Sequence, residues 1–375
     1  MPSKKTKIAV VLGTRPDIIK LFPLLLELKR YPQHFQTEAI WTGQHIEMAL
    51  PFLKGFKIKP RHCFEIMTKN QTSADILHSV TPQLDALLGK MKPDIVMVQG
   101  DTTTAFVAAL CAYYHKIPSA HVEAGLRTFD PYSPFPEEKN RELIDHLAHW
   151  YFAPTALAKR NLLREGIDAK KIHVVGNSGV DALKWLLKKF PPPKKIPFIS
   201  LNPGKDKLLV VTAHRRESFG TPLKNICEAI LTLVQRHSDL KIIFPVHLNP
   251  AVKKPVTDIL HRHPRIHLIP PFDYLSFIHL LSHATAILTD SGGIQEEAPT
   301  LGKPLFILRE VTERPEGVFA GNNFLVGRDP KKIVAAVEKV LYNPEEYKKR
   351  AKVRHPYGTG NSSQKIVSIL KNSCR

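Results

Sequence analysis

The sequence predicts an α/β protein built from two Rossmann-like, doubly wound domains that face a cleft. The first observation is length, because 375 residues are enough for two domains with separate hydrophobic cores. The second is alternation, because short apolar runs suited to buried parallel strands alternate with helical patterns along most of the chain. The third is that glycine and polar residues follow these strands directly, as at the ligand-binding edge of a parallel sheet.

The first array of strands and helices is expected to form an N-terminal domain of residues 1–178. It opens with the apolar strand Lys7–Leu12, which leads through a Gly-Thr-Arg-Pro turn into a helix at Asp17–Arg30. Apolar side chains recur along one face of that helix at helical spacing. The further strands of this array are expected at Thr37–Trp41, Asp94–Val98 and Ser119–Val122, and twice more between Trp150 and Val175.

The second array is expected to form a C-terminal domain of residues 179–360. Near its start, the Pro- and Lys-rich stretch Phe190–Pro197 is expected to be a stiff surface excursion. Residues 361–375 form a tail that we expect to pack back on the N-terminal domain. The strands of the second array are expected at Lys207–Thr212, Leu240–Val246, Arg265–Ile269, Ala284–Thr289 and Pro304–Leu308.

The composition is typical of a globular protein, with 43% hydrophobic and 23% charged residues. No apolar run approaches the roughly 20 residues that a membrane helix needs, and the N-terminus does not resemble a signal peptide. We therefore expect a cytoplasmic protein without membrane insertion. Cys63, Cys111, Cys227 and Cys374 are scattered without a C-x-x-C pair, which argues against structural zinc and against a disulfide framework.

The net charge of +20 is the one unusual property of the composition. It permits nucleic acid, an acidic membrane face or an anionic small substrate as partners. The basic residues are nevertheless dispersed in short clusters, and no known nucleic-acid module is present. We interpret most of the charge as a solvated surface and expect no nucleic-acid partner.

Neither a cofactor nor a metal is expected from the motifs. No G-x-G-x-x-G follows a strand, and Gly302-Lys303 lacks the earlier glycine and the Ser or Thr of a Walker A loop, so neither dinucleotide binding nor ATP hydrolysis is indicated. His261, His263 and His267 lie close in sequence, but their positions suit a solvated helix end better than a metal site.

A first candidate anion site is the stretch from Asp290 to Ala298, which follows an apolar strand and precedes Gly302-Lys303-Pro304. Two glycines allow close approach of an anion, and the following helix offers unpaired N–H groups. Glu296 and Glu297 could reach back to sugar hydroxyls. The alternative is a tight strand-to-helix connection whose acids only complement the positive end of the helix.

A second candidate anion site is the first strand–loop–helix connection, where Arg15 precedes the helix and Lys20 lies one turn inside it. Pro16 could simply start the helix, with both cations on the surface. A cation at a helix N-terminus is electrostatically unfavourable, however, so Arg15 suggests a bound anion.

Three carboxylates follow the strands of the first domain or open its helices, namely Asp101, Glu123 and Glu137. Asp101 could cap a helix, and Glu137, with its neighbour Glu138, lies where the helix dipole favours acids. Glu123 is harder to explain in this way, because it ends a strand and faces a glycine turn rather than opening a helix.

Taken together, these motifs resemble those of the non-hydrolysing UDP-N-acetylglucosamine 2-epimerases. They occur in the same order as in that family and extend over nearly the whole chain. The shared motifs are Gly-Thr-Arg-Pro at 13–16, Gly-Asp-Thr-Thr-Thr at 100–104, His-Val-Glu-Ala-Gly-Leu-Arg at 121–127, Pro-Phe-Pro-Glu-Glu with Asn140 and Arg141, His-Arg-Arg-Glu-Ser-Phe-Gly at 214–220, the Ser-Gly-Gly stretch, and Thr-Glu-Arg-Pro-Glu at 312–316.

The resemblance implies the GT-B type of two-domain fold, which many nucleotide-sugar glycosyltransferases share, and a homodimer. It also implies inversion at C2 of UDP-GlcNAc to give UDP-ManNAc. In that family UDP is eliminated to leave a 2-acetamidoglucal, and UDP is then added back with a proton delivered to the opposite face. The product would supply ManNAc units for cell-surface polysaccharide.

The same resemblance assigns roles to individual residues. The implied catalytic residues are Asp101, Glu123 and Glu137 as the acid/base set, and His214 for the departing UDP. The implied substrate-binding residues are Arg15, Lys20, Arg141, Arg215, Phe272, Phe277, Ser291, Gly292, Gly293, Glu297 and Arg314. Within this set Ser291–Gly293 match the diphosphate loop, Glu297 the ribose contact and Phe277 the position that flanks uracil.

The chain also departs from the family pattern. Asp17 stands where a Glu is usual, Ala213 where a Gly is frequent, and Phe272 where a Gln is common near the base. Bacterial members carry a second UDP-GlcNAc site, and Gln44, His45 and Gln71 resemble its residues. Ile46 and Asn70 depart from that pattern, so we expect weakened allosteric activation, which sigmoidal kinetics of ordinary steepness would contradict.

Four other functions compete with this interpretation. A GT-B glycosyltransferase shares the fold and nucleotide loop but needs an acceptor and only one base. A hydrolysing epimerase releasing free ManNAc differs only in whether water captures the glycal, and a modified UDP-sugar substrate would leave the motifs unchanged. A catalytically inactive protein that only binds a nucleotide-sugar or a nucleic acid would have no use for three acids. This alternative predicts salt-dependent binding of RNA or DNA.

Overall fold

Two parallel β-sheets, each flanked by helices, make up the regular structure of the chain. The computed structural model describes residues 5–43, 53, 55–56, 58–68, 71–196, 199–202 and 204–373. These residues divide into two units, the first running through Trp185 and including the segment from Tyr357, and the second comprising Leu186–Pro356.

The sheet of the first unit has seven strands, all paired in parallel, in the order β3-β2-β1-β4-β5-β6-β7. The order reverses direction between β1 and β4, which is the topological switch point where doubly wound sheets bind ligands. The strands are β1 Thr6–Leu12, β2 Phe35–Trp41, β3 His62–Cys63, β4 Ile95–Gln99, β5 Ser119–Val122, β6 Trp150–Ala153 and β7 Ile172–Val174.

Helices cover this sheet because their apolar faces pack on its β-branched residues. On one side, Val96 and Val98 of β4 lie in a buried cluster with Val80, Leu84 and Val107. The helices of this unit are α1 Arg15–Leu28, α2 Ser73–Met91, α3 Thr103–Tyr114, α4 Glu137–Leu147, α5 Ala156–Arg164, a 3-10 turn at Ala169–Lys171, α6 Ser178–Lys189 and α14 Ser362–Ser373. Helix α6 continues past Trp185 into the second unit.

The sheet of the second unit repeats the same winding with six parallel strands in the order β10-β9-β8-β11-β12-β13, and its switch point lies between β8 and β11. Its strands are β8 Lys207–Thr212, β9 Leu240–Pro245, β10 Ile266–Ile269, β11 Ala286–Thr289, β12 Leu305–Ile307 and β13 Asn323–Leu325. Its helices are a 3-10 turn at Arg216–Ser218, α7 Thr221–Arg236, α8 Pro250–Leu260, α9 Tyr274–His283, α10 Gly292–Leu301, α11 Glu316–Ala320, α12 Pro330–Leu341 and α13 Pro344–Arg350.

The C-terminal segment joins the first unit through backbone contacts around the start of α6. Gly176 has a φ of +95°, and a Cβ there would lie 2.7 Å from the Ser362 hydroxyl, so only glycine fits this crossing. The Asp181 carboxylate accepts hydrogen bonds from the backbone N–H groups of Ser362 and Ser363 at 3.1 and 2.7 Å. Helix α14 then packs on α1.

The prediction of two doubly wound α/β domains is confirmed by the two sheets. The domain limits expected at residues 178 and 360 remain predictions. Contacts divide the chain after Trp185, which lies within α6, and after Pro356. Among the described residues, no helix is both long and apolar enough to cross a membrane.

Candidate functional site

In the first unit, Glu123 lies directly after β5 and is buried. Its backbone has a φ of +75°, a conformation that costs a non-glycine residue on the order of 1 to 3 kcal/mol and that concentrates at functional sites. Its carboxylate pairs with the buried Lys20 ammonium of α1 and accepts a 2.7 Å hydrogen bond from Asn177 Nδ2. The end of β5, helix α1 and the start of α6 therefore converge on one carboxylate.

Asp101 lies after β4, beyond Gly100 with its φ of +66°. Its carboxylate pairs with the Arg141 guanidinium of α4, and its backbone carbonyl accepts a 3.0 Å hydrogen bond from Asn140 Nδ2. Arg141 also donates to Glu138 Oε2 at 2.9 Å. One arginine thus ties the Asp101 turn to the first turn of α4.

Glu137 begins α4 and is half-buried, whereas its neighbour Glu138 is fully buried. Glu138 Oε1 accepts hydrogen bonds from the backbone N–H groups of Thr128 and Phe129 at 2.7 and 2.9 Å. Glu138 therefore holds the loop that precedes α4. Glu137 lies at the N-terminus of α4. We call Asp101, Glu123 and Glu137 the acid cluster.

At the N-terminus of α1, Arg15 is the first helical residue and Lys20 lies one turn further. Asp17 is buried between them and accepts hydrogen bonds from the N–H groups of Gly13 and Thr14 at 3.1 and 2.8 Å. Burial raises the pKa of Asp17 to about 6, although these hydrogen bonds oppose the rise. Arg15, Asp101 and Glu123 follow the carboxyl ends of β1, β4 and β5, at and beside the β1/β4 switch point, whereas Glu137 is carried by α4.

In the second unit, Asp290 follows β11 and holds the loop that follows β8. Its Oδ2 accepts three hydrogen bonds of 2.9 Å, from the backbone N–H groups of His214 and Arg215 and from the Ser218 hydroxyl. Its Oδ1 lies 3.2 Å from His214 Nδ1. Burial alone would raise the pKa of Asp290, but His214 and the backbone donors lower it to about 2. His214 is therefore oriented by an ionised carboxylate at the β8/β11 switch point.

Helix α10 begins with two glycines, Gly292 and Gly293. A Cβ built on Gly292 would lie 2.9 Å from Arg314 Nη1, whereas one built on Gly293 meets no atom of the described residues within 4 Å. Among those residues, the Ser291 side chain makes no capping hydrogen bond to α10. The helix dipole and the N–H groups of the first turn of α10 suit an anion, and we call Ser291–Gly293 the glycine turn.

Two acids within α10 have different partners. Glu297 pairs with the Tyr274 hydroxyl of α9, and Glu296 pairs with the buried Arg314 guanidinium, which also pairs with Glu313. Arg314 is thereby fixed beside Gly292.

The remaining predicted residues of this unit lie around the same sheet edge. Arg215 follows His214 and is half-buried. Phe272 lies in the connection after β10, and Phe277 lies in the first turn of α9 with its N–H bonded to the Asp273 carbonyl. Both rings are half-buried.

Of the predicted allosteric residues, Gln44 and His45 lie outside the described residues. Gln71 donates a 2.7 Å hydrogen bond from Nε2 to the Ile66 carbonyl. Within the described part of the chain, no group of three or more His, Cys, Asp or Glu side chains is arranged to hold a metal ion.

Sequence reasoning did not single out Asn177 and Tyr274, which hold Glu123 and Glu297. It named Glu138, Glu296 and Asp290 but missed the contacts through which they fix the predicted residues. The sequence did contain a partial indication of these contacts, because Glu137-Glu138 and Glu296-Glu297 are both pairs of adjacent acids. In each pair, the residue that was given no catalytic or substrate-binding role is the one paired with an arginine. For the first pair the i,i+3 spacing to Arg141 could have shown this.

Comparison with known proteins finds relatives that match nearly the whole chain. A family model described as UDP-N-acetylglucosamine 2-epimerase matches residues 27–371. The UDP-N-acetylglucosamine 2-epimerase of Salmonella typhimurium is 44% identical over 374 residues, which cover 98% of each chain.

Solved structures show the same relationship. The UDP-GlcNAc 2-epimerase of Neisseria meningitidis bound to UDP-GlcNAc matches with a TM-score of 0.94 and 44% identity, covering 98% of this chain and 100% of that one. The UDP-GlcNAc 2-epimerase of Methanocaldococcus jannaschii in complex with UDP-GlcNAc and UDP matches with a TM-score of 0.86 and 39% identity at the same coverage. Because sequence, family model and fold agree over nearly its full length, this chain belongs to the UDP-N-acetylglucosamine 2-epimerase family of isomerases.

Proposed function

We propose that this enzyme interconverts UDP-GlcNAc and UDP-ManNAc by eliminating UDP and adding it back to a 2-acetamidoglucal. The observation that carries the proposal is the buried Glu123 carboxylate, which is held by Lys20 and Asn177 at the end of β5. The C2 proton of the sugar is only weakly acidic, so its removal needs a positioned base. Its return to the opposite face needs a second acid.

The acid cluster supplies the groups that this chemistry requires. Asp101, Glu123 and Glu137 have different neighbours, since Arg141 pairs with Asp101 and Lys20 pairs with Glu123. Different surroundings set the proton affinities of carboxyl groups apart, which lets one act as base while another acts as acid. In the proposal these three exchange the C2 proton, with no order assigned among them.

Departure of UDP requires positive charge where negative charge develops on its oxygen, and preorganised groups of this kind often contribute several kcal/mol to catalysis. We assign that role to His214 and Arg15, supported by Lys20, Arg141 and Arg215. The orientation of His214 by Asp290 supports this assignment, because one carboxylate holds both the backbone and the ring of His214.

Nucleotide binding is assigned to the second unit. The glycine turn would receive the diphosphate, since its N–H groups lie at the N-terminus of α10 and Gly293 leaves room for close approach. Glu297 would contact the ribose and Arg314 the substrate. Phe277 would flank uracil, with Phe272 contributing backbone rather than side-chain contacts to the base.

The proposal also covers the oligomeric state of the enzyme, its location in the cell and the use of its product. We expect a homodimer, for which light scattering should report twice the 42.3 kDa chain mass. We also expect a cytoplasmic enzyme whose product supplies ManNAc units for cell-surface polysaccharide, with no cofactor required.

The test is a proton NMR time course of the purified enzyme with UDP-GlcNAc in D2O. We expect UDP-ManNAc to accumulate to equilibrium while deuterium enters C2 of both sugars. Glu123→Gln and Glu137→Gln should each slow the exchange by about 100-fold or more, because a positioned acid or base contributes roughly that factor. Glu142→Gln is the matched control, since Glu142 also lies on α4 and forms an ion pair with the exposed Lys139.

Other outcomes would redirect the proposal. Free ManNAc together with UDP would indicate the hydrolysing reaction. An unchanged spectrum would contradict UDP-GlcNAc as substrate and would lead to modified UDP-sugars, and then to a transferase assayed with acceptors.

A further inference from the structure

The acid cluster is attached to a second, fully buried set of charges that the proposed chemistry does not use. His121 lies in β5, two residues before Glu123, and is 0% exposed. Asp145 of α4 is also 0% exposed. Burying charged groups without a compensating function is costly, so their purpose requires an explanation.

Both ring nitrogens of His121 face acceptors. Nε2 lies 2.8 Å from the Gly100 carbonyl oxygen, which can only accept, so Nε2 carries a hydrogen. Nδ1 lies 2.6 Å from Asp145 Oδ1. The other oxygen of Asp145 accepts from the Gly125 N–H at 3.1 Å and from Arg127 at 2.7 Å.

Asp145 is ionised in this setting. Burial alone would raise its pKa, but the adjoining His121 and Arg127 hold the pKa below its ordinary value. A carboxylate acceptor on this side makes Nδ1 of His121 a donor as well, so both ring nitrogens donate hydrogen bonds. Arg127 in turn donates to both oxygens of Glu165, at 2.7 and 2.6 Å, which balances two cations with two carboxylates.

This network holds the backbone on both sides of the acid cluster. The Gly100 carbonyl immediately precedes Asp101, and a Cβ built on Gly100 would lie 4.0 Å from Glu123 Oε1. Gly125, which follows Glu123 by two residues, is tied to the same Asp145 carboxylate. The strained φ of +75° at Glu123 is therefore flanked by anchors at residues 121 and 125.

We propose that His121 is a positioning residue which, as an imidazolium between Asp145 and Gly100, sets the Asp101 turn against Glu123 for proton exchange at C2. The inference rests on the proposed epimerase reaction. The competing explanation is that the network only stabilises the core, in which case either ring nitrogen would matter equally.

Two substitutions separate the two hydrogen bonds. Asparagine places its amide nitrogen near the position of Nδ1, so His121→Asn keeps a donor for Asp145 and loses the one for Gly100. Glutamine places its amide nitrogen near Nε2, so His121→Gln keeps the Gly100 bond and loses the one to Asp145. His115→Asn is the control, because His115 pairs with Asp85 at 2.8 Å at the C-terminal end of α3.

We expect His121→Asn to lower kcat for C2 exchange by about 30- to 100-fold, because a small misplacement of reacting groups costs that much. His121→Gln should lose less than about tenfold, and KM and UDP affinity should change less than about threefold in both variants. His115→Asn should leave kcat unchanged. Equal kcat values for the two His121 variants, or a loss of UDP affinity that matches the loss of kcat, would overturn the proposal.

A second measurement needs no active variant. In the nitrogen-15 labelled wild-type enzyme, one histidine should show two ring N–H signals protected from solvent, both absent from the His121→Gln spectrum. A single protected ring N–H would overturn the imidazolium arrangement even if His121→Asn does not fold. If wild-type enzyme shows no C2 exchange, the proposed function fails and the positioning role fails with it, whereas the two ring N–H signals still test the imidazolium arrangement separately.

Discussion

At the scale of single residues, one buried carboxylate organises the loop that follows β8 in the second unit. Asp290 accepts three hydrogen bonds of 2.9 Å from residues 214–218 and contacts the His214 ring. A carboxylate with this many donors is far easier to ionise than a free one, which explains its pKa of about 2. Its folded-state pKa lies below the unfolded value of 3.8, so the stability it contributes is present above pH 4 and is lost as pH falls through 2.

We therefore predict that Asp290→Asn lowers the free energy of unfolding at neutral pH by about 2 kcal/mol, the value of the pKa difference. It should also lower kcat by about tenfold or more, because His214 loses its ionised partner. Chemical denaturation and the C2 exchange assay measure the two effects. Asp258→Asn is the control, since Asp258 is exposed and pairs with Lys254 on α8. A kcat equal to that of the control would show that Asp290 does not orient His214 for catalysis.

At the scale of elements, two helices begin with the same threonine–aspartate arrangement in different surroundings. Thr14 N–H donates to Asp17 at the start of α1, and Thr72 N–H donates to Asp75 at the start of α2, both at 2.8 Å. Burial raises the pKa of Asp17 to about 6, whereas the hydrogen bonds from Thr72 lower the pKa of the exposed Asp75. Depth of burial, not the local motif, thus decides the direction of the shift.

The pH dependence of stability should follow from this contrast. Asp17 has a folded pKa above its unfolded value of 3.8, so its contribution is fully present below pH 4 and is lost as pH rises through 6. Asp17→Asn should therefore gain stability relative to wild type across that window, by up to about 3 kcal/mol. Asp75→Asn, the matched control, should show no such gain in this range, because the lowered pKa of Asp75 confines its titration to pH values below about 4. Urea denaturation from pH 4.5 to 7.5 measures both, and a pH-independent difference for Asp17→Asn would contradict this prediction.

The glycine turn at the start of α10 permits another test at this scale. Gly293 has open space where a Cβ would lie, so Gly293→Ala should leave the melting temperature unchanged. If the diphosphate approaches this backbone, the added methyl group should weaken UDP binding by about tenfold or more, the cost of a displaced hydrogen bond. Thr300→Ala near the other end of α10 is the control in calorimetric titrations. Unchanged UDP affinity in Gly293→Ala would place the diphosphate elsewhere.

At the scale of the whole molecule, the second unit should couple nucleotide binding to global stability. A ligand that binds only the folded state adds RT ln(1 + [L]/Kd), which is about 2.7 kcal/mol when its free concentration is 100 times Kd. UDP at that ratio should raise the free energy of unfolding of the full-length enzyme by this amount, measured by denaturant titration. Uridine at the same concentration should stabilise far less, because it lacks the diphosphate. Equal stabilisation by the two would contradict the role assigned to the glycine turn.

Much of the fold could be predicted from the chain because its signals are local. Apolar runs such as Lys7–Leu12 and Lys207–Thr212 match β1 and β8 closely, since a strand buried on both faces must be apolar throughout. Strand β3 could not be found in this way, because its two residues, His62 and Cys63, carry no periodic pattern.

The sequence by itself determined the family, the two doubly wound sheets and the kinds of side chain at their carboxyl edges, because motifs and hydrophobic periodicity depend only on residue order. The tertiary structure alone decided which acids pair with which cations. Glu123 meets Lys20 from 103 positions away, and Asp101 meets Arg141 from 40 positions away. Such pairing depends on strand order and helix packing, which bring distant residues together at distances that no local pattern encodes.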